Sequence, residues 1–165
     1  MGRKGELETG VRENMLRKIG YCMMADGFLK VVGEFGFDAA NKLNHEVIRS
    51  IGRTEIKLLM GEMKYGKLDT AEKLKDLFET AVELYLPEEH KYEFQIHDNH
   101  TVCGKVIIIY DHLQKGQTAS GYICSGKTRC DAWLEACGVK GDSFPNRTAQ
   151  DCNGQCTITY KVKWD

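Results

Sequence analysis

Apolar residues recur at three- and four-residue steps through the first half of the chain, and at every second position in parts of the rest. From Asn14 to about Val32, Leu16, Ile19, Met23, Gly27 and Val31 keep helical spacing, which predicts a first helix. "GEFGFD" interrupts that pattern with two glycines, and Asp38 places an acid at the start of a second helix. The second helix is predicted from roughly Ala39 to Met63, with Ala40, Leu43, Val47, Ile51, Leu58 and Leu59 as its inner stripe. Tyr65-Gly66 closes it. A third helix is predicted where Asp69 can cap "TAEKLKDLFETAVELYL", with Leu74, Leu77, Phe78, Ala81, Val82 and Tyr85 facing inward and Pro87 ending it.

Beyond Pro87 the period shortens. "KYEFQIH" alternates Tyr92, Phe94 and Ile96 with polar neighbours, as a half-buried strand does; "DNH" offers a turn and "VCGKVIIIYDHL" an antiparallel partner. Glycine-rich "QKGQTASGYICSGK" reads as loop, and "TRCDAWLEACG" as a short helix stopped by Gly138. "VKGDSFPNRTAQ" reads as loop again, and "CTITYKVKW" as a last strand. This order predicts an α+β fold: N-terminal helices packed on a small antiparallel sheet, with a late short helix and a C-terminal strand. No repeat or long linker divides the 165 residues, so one domain over 1–165 is expected.

Charge and composition narrow the function classes. A net charge of −1 with scattered basic residues gives no electrostatic footprint for nucleic acid or an anionic membrane. The longest apolar run, Val106 to Tyr110, is far too short to span a bilayer. "MGRKGELETG" has no apolar core of a secretory signal, and Glu6 stands where myristoylation wants Ser or Thr. A cytoplasmic protein is expected, and the "NRT" sequon at Asn146 is discounted with it. "GYICSGKT" matches a phosphate loop literally, but it follows a loop rather than a strand and no Walker-B strand is evident, so a nucleotide site is not expected.

Seven cysteines, without an export signal, argue against a disulfide scaffold. Five crowd into the last quarter: Cys124, Cys130, Cys137, Cys152 and Cys156. Cys130 and Cys137 lie seven residues apart on one predicted helix, where a rise of about 10.5 Å separates them. One tetrahedral zinc could hardly take both, and beside Trp133 and Leu134 they read as small core hydrophobes. Cys124 sits just ahead of that helix, where backbone N–H groups favour an anion and make a thiol a better ligand or nucleophile. Cys152 and Cys156 bracket "NGQ" and can converge if it turns tightly. Cys124, Cys152 and Cys156 are therefore the candidate metal ligands, for zinc or alternatively an iron–sulfur cluster, although no familiar ferredoxin spacing is present. Plain structural thiols and a redox pair are the alternatives. His97, His100 and His112 flank predicted turns and read as solvated.

Glu55 follows Ile51 by four on the apolar stripe of the second helix. A carboxylate so placed suits general acid–base work or recognition of a ligand's polar atom; a stripe-edge residue paired with Arg or Lys is the plainer alternative. Asp26 is a weaker case of the same kind.

"ADGFLKVVGEFGFDAANKLNHEVIRSIGRTEIKLL", with its Asp-Gly-aromatic opening at Asp26 to Phe28, "FGF" at Phe35 to Phe37 and "GRTE" around Glu55, resembles the L-2-amino-thiazoline-4-carboxylic acid hydrolase-like family. The tail, with Cys124, the aromatic-bearing helix and "CTITYKV", is similar to 4-vinyl-reductase-type small-molecule-binding domains. The resemblance implies an α/β domain around a small-molecule pocket, with Glu55 facing that pocket and Cys124, Cys152 and Cys156 in a thiol site that holds zinc in some relatives. Asp151 alone stands where the sensor domains carry an acid before their late cysteines, and Cys130 and Cys137 have no transferable role. The leading expectation is a cytoplasmic small-molecule-binding domain with a C-terminal zinc site, possible as a homo-oligomer. One alternative is a hydrolase of small heterocyclic or amide substrates, with Glu55 and Cys124 catalytic. The other is a structural or adaptor subunit whose cysteines only pack.

Overall fold

A computed structural model describes residues 8–107, 121–150 and 155–164. The described elements run α1 (Thr9–Glu62), α2 (Ala71–Tyr85), β1 (Lys91–Asp98), β2 (Thr101–Ile107), α3 (Gly126–Cys137), β3 (Lys140–Pro145) and β4 (Gln155–Lys163). The fold is α+β, with N-terminal helices on a small antiparallel sheet, as the pattern predicted.

The two N-terminal helices expected from the sequence are the two halves of α1, joined at Gly36. That glycine has φ 78° and ψ 173°, a conformation essentially confined to glycine, and it bends the chain without a connecting loop. At α2 the cap differs from the expected Asp69. Thr70 is extended and its hydroxyl accepts the Lys73 N–H at 3.3 Å, while the Asp69 carboxylate pairs with Lys73 Nζ at 2.7 Å. Gly138 ends α3 at φ 69° as expected. A Schellman motif forms there, with Val139 N–H donating to the Leu134 carbonyl at 3.2 Å and Gly138 N–H to that of Glu135 at 3.1 Å.

The sheet order is β1-β2-β4-β3, with every neighbour antiparallel. β3 lies in a stretch expected to be loop. In register, Phe94 faces Gly104 and Gly104 faces Ile158; Val102 faces Tyr160, which faces Ser143. Alternation therefore sends Phe94, Val102, Ile158, Tyr160 and Val162 to one buried face. Against it pack Leu74, Leu77, Phe78 and Ala81 of α2, Ile56 and Leu59 of α1, and Trp133 and Leu134 of α3. Phe78 is the hub, with its ring centroid 4.8 Å from Tyr160 and 5.3 Å from Trp133.

Candidate functional site

The site begins where α1 and α3 approach closely at Gly52. A Cβ on Gly52 would lie 3.2 Å from both Ala132 Cβ and the Arg129 carbonyl oxygen, so glycine there lets the two backbones come together. Glu55, nearly one turn further along α1, is carried onto α3 and left only 6% exposed. Each of its carboxylate oxygens has a partner. Trp133 Nε1–H donates to one oxygen at 2.9 Å, and Arg129 Nη2 stands 3.3 Å from the other. Tyr85 donates its hydroxyl to the Glu55 backbone carbonyl at 3.2 Å, and burial, reinforced by the Glu55 charge, raises the Tyr85 pKa.

Arg129 and Trp133 form part of the wall of a half-open cavity of about 150 Å³ lined by α1, α2, α3 and the sheet. Tyr21, Met24, Phe28 and Ile48 enter from α1, Val82 and Tyr85 from α2, and Ile158 from β4. The Glu55 carboxylate stands behind that wall, on the two residues that face inward. A second space of about 330 Å³ opens between the halves of α1 and shares Met24, Phe28, Asn44 and Ile48 with the first. Arg129 is the one charged side chain among the described lining residues. Its side chain is 17% exposed, Nη2 lies 4.0 Å from Met24 Sδ, and Nε is buried with no partner among the described residues.

Amides on the inner face of α1 hold the segment before α3 against the cavity. Asn41, itself buried, donates to the Gly121 carbonyl at 2.8 Å and accepts the Ile123 N–H at 2.9 Å. Tyr122, between them, meets Phe28 edge to face at 5.3 Å. One turn on, Asn44 donates to Ser125 Oγ at 3.3 Å, and His45 Nδ1 lies 2.7 Å from Thr128 Oγ1. Sequence reasoning missed Asn41, Asn44 and Arg129. A signal existed for the amides, which interrupt the apolar spacing of Ala40, Leu43 and Val47; none marked Arg129.

The thiols are placed as follows. Cys124 precedes α3 as expected, half-buried, with Gly126 N–H directed at its Sγ at 3.4 Å and its own N–H donating to the Ala149 carbonyl at 3.0 Å. Cys156 is on β4 opposite Val106, with Sγ 3.7 Å from the Thr157 carbonyl oxygen. Cys152 lies outside the described residues. Among the described residues no three His, Cys, Asp or Glu side chains gather as a metal site, so the donor set for zinc is not complete there. Cys130 lines the cavity and accepts the Tyr160 hydroxyl at 3.1 Å; burial pushes its pKa up to about 12. Burial likewise pushes Cys137 to about 12. Both thiols are protonated at neutral pH, as packing residues are.

No protein-family model and no curated protein matches the chain. Among solved structures, the chain is similar to a trafficking protein particle complex subunit 3 from Naegleria fowleri, determined covalently bound to palmitic acid. The TM-score is 0.57 at 11% sequence identity, over 93% of this chain and 96% of that one. The likeness is one of fold. No helix among the described residues is long and apolar enough to cross a membrane.

Proposed function

We propose that the chain is a small-molecule-binding domain whose ligand occupies the cavity between α1, α2, α3 and the sheet. The observation that carries this is the cavity itself: an apolar, aromatic-walled space of about 150 Å³ with one guanidinium held in its wall by a buried carboxylate. Ligand sites have this character, mostly apolar with a few fixed polar groups. That a solved protein of similar fold was determined covalently bound to palmitic acid supports an apolar ligand for this fold. The hydrolase alternative, with Glu55 and Cys124 catalytic, gains less support, because both Glu55 oxygens already have partners in Trp133 and Arg129 and neither Glu55 nor Cys124 is among the described residues lining the cavity.

A small aromatic hydrocarbon such as toluene tests the binding role. At about 100 times its dissociation constant, a ligand selective for the native state adds about 2.7 kcal/mol. In a domain of this size that raises Tm by roughly 5–10 °C. Ala25→Phe, which fills the cavity from α1, should abolish the shift while leaving a cooperative transition. No shift in the wild-type protein at saturating toluene would refute the proposal. A zinc clip on Cys124, Cys152 and Cys156 is a separate element of the proposal. It requires about one zinc per chain under reducing conditions, lost in Cys152→Ser, and fails if the protein is metal-free.

A further inference from the structure

The apolar spacing that predicts the first half of α1 does not face the core. Tyr21, Met24 and Phe28 turn inward and line the cavity, whereas Leu16, Ile19 and Met23 are 62%, 51% and 70% exposed. Single apolar side chains in water are ordinary, but a contiguous patch of them marks an interaction surface. The same three- and four-residue steps continue the seam to Arg12 and Glu8 in one direction and to Asp26 and Lys30 in the other, and all four are exposed. Such spacing keeps every member on one side of the helix, as the contact positions of paired helices are. None of the four charged side chains forms an ion pair with another described residue.

The order of the charges decides what covers the seam. Arg12 and Asp26 lie seven residues either side of Ile19, and Glu8 and Lys30 eleven either side. A second copy laid antiparallel, with a two-fold axis at Ile19, therefore sets Arg12 against Asp26, Glu8 against Lys30 and Leu16 against Met23. Every charge meets its opposite. A parallel copy would set each charge against itself, which is disfavoured. Gly20 and Gly27 edge the same face, and a Cβ on either would meet nothing within this chain. Glycine weakens a helix interior, and here its bare backbone lets a neighbouring helix come close. The extent is also sufficient. The seam runs about 33 Å from Glu8 to Lys30, and Leu43 and Val47, 50% and 42% exposed, share the groove at Met23 and widen the patch. Its exposed apolar surface is on the order of 500 Å². With the charged ends it approaches the roughly 800 Å² that each partner buries in a specific complex.

We infer that the outer face of α1 from Glu8 to Lys30 pairs antiparallel with the same face of a second copy of this chain, about a two-fold axis at Ile19. Both copies then use one self-complementary surface, as a closed two-fold dimer requires. The inference does not depend on ligand binding in the cavity.

Analytical ultracentrifugation of the full chain tests it, at up to about 100 µM because dimer populations depend on concentration, and at low ionic strength, where exposed charges are least screened. The wild type should show twice the chain mass of 18.7 kDa. Ile19→Asp brings two carboxylates together on the axis and should give the single-chain mass, with the helical circular dichroism retained because position 19 is half exposed. Arg12→Glu sets a carboxylate against Asp26, and Asp26→Lys sets an ammonium against Arg12. Each should weaken dimerisation by about fivefold or more. The double variant Arg12→Glu/Asp26→Lys exchanges the two charges and should return to within about twofold of the wild type. These charge variants alter exposed side chains only, so they decide the matter even if Ile19→Asp fails to fold. A wild-type monomer at the highest concentration overturns the inference and gives the seam to a different protein. An Ile19→Asp chain that stays dimeric, or a double variant no tighter than the single ones, overturns it as well.

Discussion

Removing the Glu55 carboxylate should be among the most damaging single changes in the protein. Glu55→Ala leaves the Arg129 guanidinium, 17% exposed, without its counter-ion and the Trp133 indole N–H without its acceptor. Breaking a buried pair from one side costs about 3–5 kcal/mol. At this chain length that corresponds to a fall in Tm of roughly 6–20 °C. Because urea slopes for such domains are about 1–3 kcal/mol per molar, the midpoint should move by roughly 2 M with the slope unchanged. Urea titration followed by circular dichroism reads both quantities. The double-mutant cycle with Arg129→Met separates the pair from simple loss of packing. Once both charges are gone, the double variant should be more stable than the sum of the single losses by about 2 kcal/mol, within the usual range for contacting residues. A Glu55→Ala loss below about 1 kcal/mol, the range of an exposed pair, or strict additivity in the cycle, would show that the carboxylate does not hold Arg129 as described.

Two further changes probe the frame around the site. Gly141→Ala would press a Cβ onto the Lys161 carbonyl oxygen and Val162 of the neighbouring strand, with no flexible side chain able to yield; a loss of about 1–3 kcal/mol is expected by thermal or urea unfolding. His90, 9% exposed, has Nδ1 3.2 Å from the Pro87 carbonyl, and burial lowers its pKa. Its folded pKa lies below the unfolded value of about 6.5, so its contribution is full above that pH and declines as pH falls from there through the folded pKa. Unfolding measured between about pH 7 and 5 should show this decline in the wild type and a flatter profile in His90→Gln; identical slopes would contradict it.

Much of this architecture was legible in the sequence, and the parts that were not have physical causes. The 3.6-residue period found the helices, and the glycines of "GEFGFD" located the break now seen at Gly36. Glu55 stood out because a carboxylate on an apolar stripe needs a partner. Its partner did not stand out. Arg129 lies on a short helix beside Cys130 and Trp133, and an isolated arginine there reads as surface; only the close approach at Gly52 buries it. β3 was hidden for a related reason. "KGDSFP" has glycine, proline and little alternation, since Phe144 is exposed and the fully buried residue is Ser143, whose hydroxyl bonds Asp131 Oδ1 at 2.5 Å. An edge strand satisfied by a side chain of the preceding helix carries almost no hydrophobic signature. The thiols were legible in part. Helix spacing had already set Cys130 and Cys137 apart as packing residues, and their burial agrees, whereas spacing alone could not say whether Cys124, Cys152 and Cys156 meet.

The strand order also governs when the interior can form. β4 follows the other described elements in the chain, yet it sits between β2 and β3 and supplies Ile158, Tyr160 and Val162 to the core. During synthesis the β1–β2 hairpin closes from neighbours, but a nascent chain halted before Gln155 has no surface on which β3 can pair, and Phe78 lacks the Tyr160 ring. The cavity floor at Ile158 is missing as well. Such a chain carries exposed aromatic surface and an unpaired strand edge, the combination that invites association between partly made molecules. Commitment to the native state is thus deferred until Gln155–Lys163 clears the ribosome, and any ligand selective for the finished cavity must arrive after that moment.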